Sequence, residues 1–282
     1  MARAWRPDVI HLHSSFAGAV GAFGLRGAAP LVYTPHGYSF TMADRGRAGR
    51  GFYLAAERVI ARRVSLVGAV SEAEADLARG PVRAPRVRAV PNGLRDIDDP
   101  PRPRTPRVPV GVVAAGRIGA ARSPHAASRI LTAVTDLAAV RWLGSAPAGS
   151  GDDAPLRAAG IPVSGWLPHR ELLEELAGAS AYLHYSAWDG LSITVLEAMA
   201  RDVPVIASDV PANRELLGPE NVARDEQAAI GQLRRVLLDP AERERRIALQ
   251  RVRRERFGAK RMVADWLAVY AALAQGVPPV GR

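Results

Sequence analysis

The chain has 282 residues, 48% of them hydrophobic, which suffices for one large domain or two modest domains with real cores. It has no cysteine, which excludes disulfides and cysteine-based zinc sites. Its formal net charge is +10, and all but one of its 38 basic residues are arginine. No stretch reaches the roughly 18 consecutive apolar residues that span a membrane, and the polar start is too short for a signal peptide. We therefore expect a cytoplasmic protein.

The basic excess favours anionic partners, namely nucleotides, nucleic acid or an acidic membrane surface. An arginine- and alanine-rich composition can equally reflect genomic base bias. The densest basic run, 243–256, mixes both charges at helical spacing, which is typical of a solvated helix face with ion pairs one turn apart. It lacks the aromatic residues on which single-stranded nucleic acid stacks. We expect no nucleic-acid partner, and we expect no metal because the histidines lack zinc-ligand spacing.

The first hundred residues alternate between short apolar strands and helices. Ser71 is a good N-cap for the third helix, and Pro91-Asn-Gly93 predicts a turn after the last strand. The predicted strands are 9–13, 31–34, 65–71 and 87–90, and the predicted helices are 17–25, 52–63 and 72–79.

A stretch rich in Pro, Asp and Arg follows, from Asp96 to Arg107. This composition is typical of a linker, so we expect one domain over 1–100 and a second over 107–282.

The alternation then restarts and ends in a long helical segment. The predicted strands are 108–115, 140–144, 161–166, 181–185 and 203–209. The predicted helices are 124–137, 152–159, 169–177, 191–200 and 225–275, the last broken near Asp239-Pro240 and Phe257-Gly258.

Short apolar strands that alternate with helices indicate parallel sheets covered on both faces. Two such segments predict an α/β protein with two Rossmann-like domains that face a cleft. Ligands of such sheets bind beyond the carboxyl ends of the strands, where the motifs described next are placed.

The most informative motif is Asp189-Gly-Leu-Ser-Ile-Thr-Val-Leu-Glu197, a glycine turn followed by an apolar helix with one carboxylate inside it. A buried carboxylate needs a polar partner, and a helix N-terminus binds phosphate readily. Glu197 lies about 9 Å along the helix from Leu191, so a nucleoside diphosphate could span the gap. The alternative is an Asp189-capped helix end with Glu197 on an exposed face.

This pattern resembles the acid-x7-acid element of retaining glycosyltransferases with the GT-B fold, in particular family 4. Further segments resemble that family in the same order, and together they extend over nearly the whole chain. They are 7–18, 32–40, 70–72, 90–94 and 115–118. The family normally begins with one more strand and a glycine-rich loop, so the resemblance implies an incomplete N-terminal domain.

The resemblance implies a donor site in the second domain. Gly116 and Arg117 end its first strand, and Arg122 stands where the family has a diphosphate-binding lysine. Asp189 stands where the family usually has glutamate and would contact the donor sugar. The alternative for both arginines is simple solvent exposure.

Further donor contacts follow from the same resemblance. The N–H groups of Gly190, Leu191 and Ser192 would face the diphosphate and sugar, and Glu197 would hold the ribose. Trp166 and Leu167 resemble the loop around the nucleobase, although both could equally be core residues.

In the first domain, His36 resembles the family histidine beside the reacting sugar carbon, and His13 and Ser14 would line the acceptor side. His184 lies on an apolar strand, which favours a core position.

The implied function is transfer of a sugar from a nucleotide sugar, a UDP-sugar first of all, to an acceptor hydroxyl with retention, and without a metal or cofactor. Catalysis is expected from His36, Asp189 and Glu197. A sugar or lipid-linked acceptor in polysaccharide synthesis implies peripheral contact with the inner face of the cell membrane. The alternatives are a non-catalytic nucleotide-sugar binder, an epimerase, or a phosphorylase, whose cofactor lysine has no match because Lys260 lies far from the motifs.

Overall fold

The computed structural model describes residues 6–100 and 111–277. The strands in these ranges are β1 (Ile10–His13), β2 (Leu31–Thr34), β3 (Leu66–Ala69), β4 (Val87–Ala89), β5 (Gly111–Ala115), β6 (Ala139–Leu143), β7 (Ala181–His184) and β8 (Val205–Ala207). The helices are α1 (Ser15–Gly24), α2 (Gly46–Ala61), α3 (Glu72–Arg79), α4 (Arg95–Asp98), α5 (Pro124–Thr132), α6 (Ala154–Ala158), α7 (His169–Ala177), α8 (Ile193–Ala200), α9 (Pro211–Leu217), α10 (Glu226–Leu238), α11 (Pro240–Arg254) and α12 (Ala259–Ala274).

The described residues form two compact units, 6–93 with 259–277, and 94–258. This division differs from the predicted boundary at 96–107. Residues 101–107 of that predicted linker lie outside the described ranges, and 95–98 form α4, where Asp96 accepts a 2.6 Å hydrogen bond from Arg201. The C-terminal helix α12 belongs to the first unit rather than the second.

The first unit contains a parallel sheet in the order β1-β2-β3-β4. Strands β2 and β3 are buried along their whole length because helices cover both faces. One face packs Tyr33 and Val67 against α1 and α2, and the other packs Val32 and Leu66 against α12. The second face needs an apolar cover, which explains why α12 joins this unit.

The second unit contains a parallel sheet in the order β6-β5-β7-β8. The chain leaves β5 for β6 on one side and later returns to β7 on the other side of β5, so the strand order reverses between β5 and β7. In open α/β sheets, ligands bind beyond the carboxyl ends of the strands at such a reversal. The loops after β5 and β7 therefore form the candidate ligand-binding site of this unit.

Several predicted elements need correction. The predicted strand at 161–166 is not regular and makes only isolated bridges, at Val163 and Gly165. Gly165 has a φ of 76°, which interrupts extended backbone. Helix α9 and helix α4 were not predicted, since both are short. Of the predicted strand 108–115, residues 108–110 lie outside the described ranges.

Among residues 6–100 and 111–277, no helix has both the length and the apolar character needed to cross a bilayer.

Candidate functional site

The two loops at the strand reversal of the second unit touch each other. The backbone N–H of Ala187, after β7, donates to the carbonyl of Ala121, after β5, over 2.9 Å. The side chain of Arg122 crosses between the same loops. It donates through Nη1 to Ser186 Oγ (2.8 Å) and to Asp189 Oδ2 (2.7 Å). Two predicted site residues, Arg122 and Asp189, therefore form an ion pair, and Arg122 is not simply exposed to solvent.

Asp189 has a second partner that the sequence did not suggest. His184 Nε2 lies 3.0 Å from the same carboxylate oxygen, and Tyr182 Oη lies 2.9 Å from His184 Nδ1. Because Nε2–H faces a carboxylate, Nδ1 is the acceptor from the tyrosine hydroxyl. His184 is buried, as its predicted core position requires, but it also holds Asp189.

Burial and neighbouring charges shift the pKa values of Asp189 and His184 in opposite directions. Burial alone would raise the pKa of Asp189, but the hydrogen bond from His184 and the Arg122 charge outweigh it and hold that pKa well below the usual range. Burial lowers the pKa of His184 despite the neighbouring carboxylate. At neutral pH the cluster therefore contains an ionised Asp189, a neutral His184 and a charged Arg122.

Arg122 retains unused hydrogen-bonding capacity. A guanidinium has five N–H donors, and the side-chain hydrogen bonds of Arg122 within the described residues all use Nη1. Its Nε and Nη2 donors can therefore bind a further anionic group without breaking the pair with Asp189. Bidentate recognition of a phosphate needs such a free edge.

The glycine turn differs in detail from the prediction. Helix α8 begins at Ile193, and Ser192 is its N-cap, accepting from Val195 N over 3.4 Å. Leu191 therefore lies before the helix, with a buried side chain. The N–H of Gly190 donates to Asp189 Oδ1 over 2.9 Å, so it is occupied by the neighbouring carboxylate rather than pointing freely outward.

Glu197 is buried in α8, with only 3% of its surface exposed. This burial excludes the alternative of an exposed helix face. Its Oε1 lies 2.6 Å from Nε2 of His169, the first residue of α7, whose side chain is 67% exposed. A ligand would reach this buried carboxylate only by displacing the solvent-facing imidazole of His169.

His169 was missed in the sequence analysis. It directly follows the predicted nucleobase loop, Trp166-Leu-Pro168, and starts a helix, which was the available signal. That position brings it to Glu197 only through the packing of α7 on α8.

The end of β5 approaches its neighbour β6 closely. Trp142 Nε1 donates to the Gly116 carbonyl over 2.9 Å, and a side chain on Gly144 would collide with that carbonyl. Gly116 has a φ of 116°, which favours glycine. Arg117 beside it is exposed and has no hydrogen-bond or ion-pair partner in the described part of the chain.

Trp166 is 68% exposed and is not a core residue, whereas Leu167 is half-buried. The alternative of a core position is therefore excluded for Trp166. Trp166 lies beside the carboxyl end of β6, because the preceding Gly165 forms an isolated β-bridge with Gly144.

The predicted residues of the first unit also cluster at strand ends. His13 Nδ1 lies 2.9 Å from His36 Nε2, and the ring of His11 stacks on His13 at 4.0 Å. His11 is held by Thr34 Oγ1 (2.8 Å) and by Tyr270 Oη (2.6 Å).

All three imidazoles are disposed to be neutral at pH 7. Burial lowers the pKa of His11 to about 4, and the repulsion that protonated His13 and His36 would exert adds to this effect. Burial also lowers the pKa of His13, and burial together with His13 lowers that of His36.

Two residues of this histidine cluster or next to it have unusual backbone angles. Ser14 and His36 have positive φ values of 76° and 57°, which non-glycine residues seldom adopt. The loop after His36 is anchored because the buried Glu74 accepts from the N–H groups of Gly37 and Val70. Ser14 is exposed, and its side chain makes no capping hydrogen bond to α1. Strain at two exposed polar residues is typical of functional sites.

Within residues 6–100 and 111–277, no three histidine or carboxylate side chains are arranged to hold a metal ion.

Comparisons with known proteins match two parts of the chain to glycosyltransferase families. Residues 1–93 match the family described as "Glycosyl transferase 4-like domain", and residues 158–252 match "Glycosyl transferases group 1". A 41.2 kDa protein of the cps region of Klebsiella pneumoniae is 25% identical over 227 residues, which cover 74% of this chain and 62% of that protein. The chain thus spans less than two thirds of that relative.

Solved structures share the fold at low sequence identity. Sucrose-phosphate synthase from Thermosynechococcus elongatus aligns with a TM-score of 0.81 and 18% identity, over 95% of this chain and 74% of the synthase. Anabaena HepE, solved with UDP and glucose, aligns with a TM-score of 0.78 and 18% identity, over 96% of this chain and 80% of HepE. The fold is therefore the α/β fold with parallel sheets of GT-B glycosyltransferases.

Proposed function

We propose that this chain, with a GT-B fold and matches to two glycosyltransferase domain families, transfers a sugar from a nucleotide sugar to an acceptor hydroxyl. We further propose that it acts as a retaining enzyme of family 4. The observation that carries the proposal is the pair of partnered carboxylates, Asp189 and Glu197, beside the strand reversal of the second unit.

The donor diphosphate is assigned to the two arginines after β5. Arg117 is exposed and unpaired within the described residues, and Arg122 has free Nε and Nη2 donors. Together they supply two positive charges where a leaving diphosphate would gain charge. Preorganised charge of this kind is usually the largest contribution to catalysis, and it requires no metal ion.

The donor sugar and nucleoside are assigned to the remaining residues. Asp189 would accept from sugar hydroxyls, because its ionised carboxylate is held rigidly by Arg122 and His184. Glu197 would hold the ribose hydroxyls, with His169 exchanging its hydrogen bond for one to the ligand. Trp166 offers an exposed ring and Leu167 a half-buried side chain beside the base.

The proposed reaction breaks the bond between the anomeric carbon and the diphosphate oxygen. The acceptor hydroxyl attacks the same face of the sugar, and the departing phosphate oxygen takes the proton of that hydroxyl. The new glycosidic bond therefore keeps the anomeric configuration. The two arginines would stabilise the leaving diphosphate throughout.

The acceptor side is assigned to the first unit. His13, Ser14 and His36 present neutral polar groups, which suit hydroxyl recognition better than binding of a second anion. His36 would lie beside the reacting carbon.

The choice of UDP-sugar is supported by the solved structure of HepE, which contains UDP and glucose. The relative from a cps region supports a role in polysaccharide synthesis. We propose a sugar or lipid-linked acceptor and a location at the inner face of the cell membrane.

A thermal-shift screen against UDP-, GDP- and ADP-sugars tests donor binding. We expect one nucleotide, UDP first of all, to raise the melting temperature of the wild type. Glu197→Gln should lose most of that rise, because the amide cannot accept from two ribose hydroxyls as a carboxylate does. Asp136→Asn is the matched control, since it removes an exposed carboxylate paired with Arg234 and should keep the full rise.

Product analysis then separates the alternatives. Glycoside formed with an added acceptor supports transfer, and epimerised free donor indicates an epimerase. Donor binding without any turnover indicates a non-catalytic binder. The absence of a shift with every nucleotide sugar would overturn the proposal.

A further inference from the structure

The loop between β7 and α8 contains Ser186 and Asp189, which both bind Arg122, and it forms neither helix nor strand. One side of this loop is fixed to the loop after β5 by the hydrogen bond between Ala187 and Ala121. Residues that follow β8 fix its other side. These contacts set the position of Ser186, whose hydroxyl accepts directly from the Arg122 guanidinium.

Ser208, the first residue after β8, binds both backbone groups of Ser186. Its hydroxyl accepts from the N–H of Ser186 over 2.8 Å and donates to the carbonyl of the same residue over 2.7 Å. The backbone N–H of Ser208 donates to the carbonyl of His184 over 3.2 Å, which continues the pairing of β7 with β8. The buried Ser208 side chain therefore holds the start of the loop against the sheet.

Asn213, in the first turn of α9, in turn holds Ser208. Its Nδ2 group donates to the Ser208 carbonyl over 3.0 Å and to Ser208 Oγ over 3.4 Å. A hydroxyl can donate one hydrogen and accept at two lone pairs. Ser208 Oγ uses all three, so the direction of its hydroxyl hydrogen is fixed.

Asn213 carries a cost that packing does not explain. The residue is buried, and its Oδ1 atom has no hydrogen-bond partner within residues 6–100 and 111–277. A buried acceptor without a partner lowers stability, and an apolar side chain of similar size would avoid that loss. The amide is explained if its hydrogen bonds to Ser208 serve the loop that Ser208 holds.

A continuous series of hydrogen bonds thus runs from α9 toward the candidate diphosphate site. It passes from Asn213 to Ser208 and on to Ser186. Ser186 Oγ then accepts from Arg122 Nη1 over 2.8 Å. We propose that Ser208 and Asn213 are positioning residues, which hold the loop after β7 so that the Arg122 guanidinium is oriented to bind a diphosphate. This inference rests on the proposed function, in which Arg122 binds the donor.

Steady-state kinetics of full-chain variants test the proposal. Ser208→Ala should lower kcat/KM for the donor by about ten-fold, because Ser186 loses both hydrogen bonds that place it. Ser208→Thr keeps the hydroxyl and should retain most of the activity.

Gln250→Leu is the matched control for Ser208→Ala. It removes two similar buried hydrogen bonds, to Val205 N and Val203 O, at the opposite end of β8. We expect it to lower the melting temperature about as much as Ser208→Ala does and to leave kcat/KM unchanged. Equal kinetic losses in the two variants would overturn the inference.

A double-mutant cycle separates positioning from general destabilisation. If Ser208 acts through Arg122, Ser208→Ala should cause little further loss of kcat/KM in the Arg122→Gln variant, where the guanidinium is already absent. Asn213→Leu should cause a smaller loss, which should disappear in the Ser208→Ala variant. Losses that multiply in either pair would contradict the series.

A measurement without substrate keeps this inference distinct from the proposed function. NMR relaxation of the Arg122 Nε–H group, whose signal is assigned by its loss in Arg122→Gln, reports how firmly the guanidinium is held. Ser208→Ala should make this group more mobile, and Gln250→Leu should not. Unchanged mobility in Ser208→Ala overturns the positioning role even if sugar transfer is found. A mobile Arg122 in Ser208→Ala, in a protein that binds no nucleotide sugar, overturns the proposed function alone.

Discussion

The polar clusters at the strand ends of the two units differ in charge: the cluster of the second unit is charged, and the cluster of the first unit is neutral. In the second unit, the carboxylates Asp189 and Glu197 each have a cationic or imidazole partner. In the first unit, His11, His13 and His36 contact one another, and burial lowers the pKa of each. One cluster is a set of fixed charges, and the other is a neutral hydrogen-bonding surface.

The difference fits a division of labour between the two substrates. For the nucleotide-sugar donor that we propose, Arg122 would supply positive charge to the diphosphate and Asp189 would supply a rigid carboxylate to the sugar. A sugar hydroxyl is uncharged and gains most from groups that donate and accept without a net charge, as neutral imidazoles do. The four predictions below test this contrast, beginning with the largest expected effect.

Removal of the Arg122 cation from the charged cluster should lower catalytic activity. Arg122→Gln should lower kcat/KM by about 100- to 1,000-fold, because one preorganised donor to the leaving diphosphate is lost. Steady-state kinetics with the donor found by thermal shift measures the effect. Unchanged kinetics would remove Arg122 from the site.

A reciprocal exchange sharpens that prediction. Arg122→Lys shortens the cation and Asp189→Glu lengthens the anion, so the double variant should recover much of what either single variant loses. The coupling should be about 1–3 kcal/mol. The same exchange at the exposed pair Arg234 and Asp136 should leave kcat/KM unchanged. Purely additive losses at 122 and 189 would contradict a functional ion pair.

His184 should affect donor binding by holding Asp189, and not only stability by packing. His184→Gln should lower the free energy of unfolding by about 2 kcal/mol, because Tyr182 Oη and Asp189 Oδ2 each lose a buried partner. It should also raise the donor KM, since Asp189 is no longer held. Urea unfolding and kinetics measure both.

Tyr182→Phe is the matched control. It removes only the hydrogen bond between Tyr182 and His184 and leaves the one between His184 and Asp189 intact. We expect it to cost about 1 kcal/mol and to leave the donor KM near wild type. A donor KM equally raised in both variants would indicate a packing effect.

The neutral cluster should be the first to lose stability in acid. The pKa of His11 is about 4 in the folded chain and 6.5 for an ordinary imidazole, so the unfolded chain binds more protons between these values. Stability is therefore complete above about pH 6.5 and is lost as the pH falls toward 4. Because the ring is partly exposed, we expect a loss of about 1–2 kcal/mol.

The charged cluster of the second unit loses its contribution to stability at a lower pH than the histidine cluster does. The lowered pKa of Asp189 contributes stability above its usual value of 3.8, and this contribution is lost only below that pH. Peptide-resolved hydrogen exchange at pH 7 and pH 5 should therefore show β1 and β2 weakening before β5 and β7. His11→Asn should flatten the difference, and equal weakening of all four strands would contradict it.

Local sequence determined much of this protein. Alternating apolar strands and helices gave the α/β class, and the ordered motifs gave the GT-B fold that the solved structures share. The break at Asp239-Pro240 was predictable, since Asp239 caps α11 and Pro240 opens it. The N-cap at Ser71 was predictable for the same kind of local reason. Such features depend on a few neighbouring residues.

Only the tertiary structure decided which side chains meet. His184 was a plausible core residue until the loop after β7 brought Asp189 to it, and His169 became a partner of Glu197 through the packing of α7 on α8. The assignment of α12 to the first unit likewise depended on distant partners. Hydrogen bonds and apolar contacts between residues far apart in the chain leave no local pattern, because each partner alone is compatible with many environments.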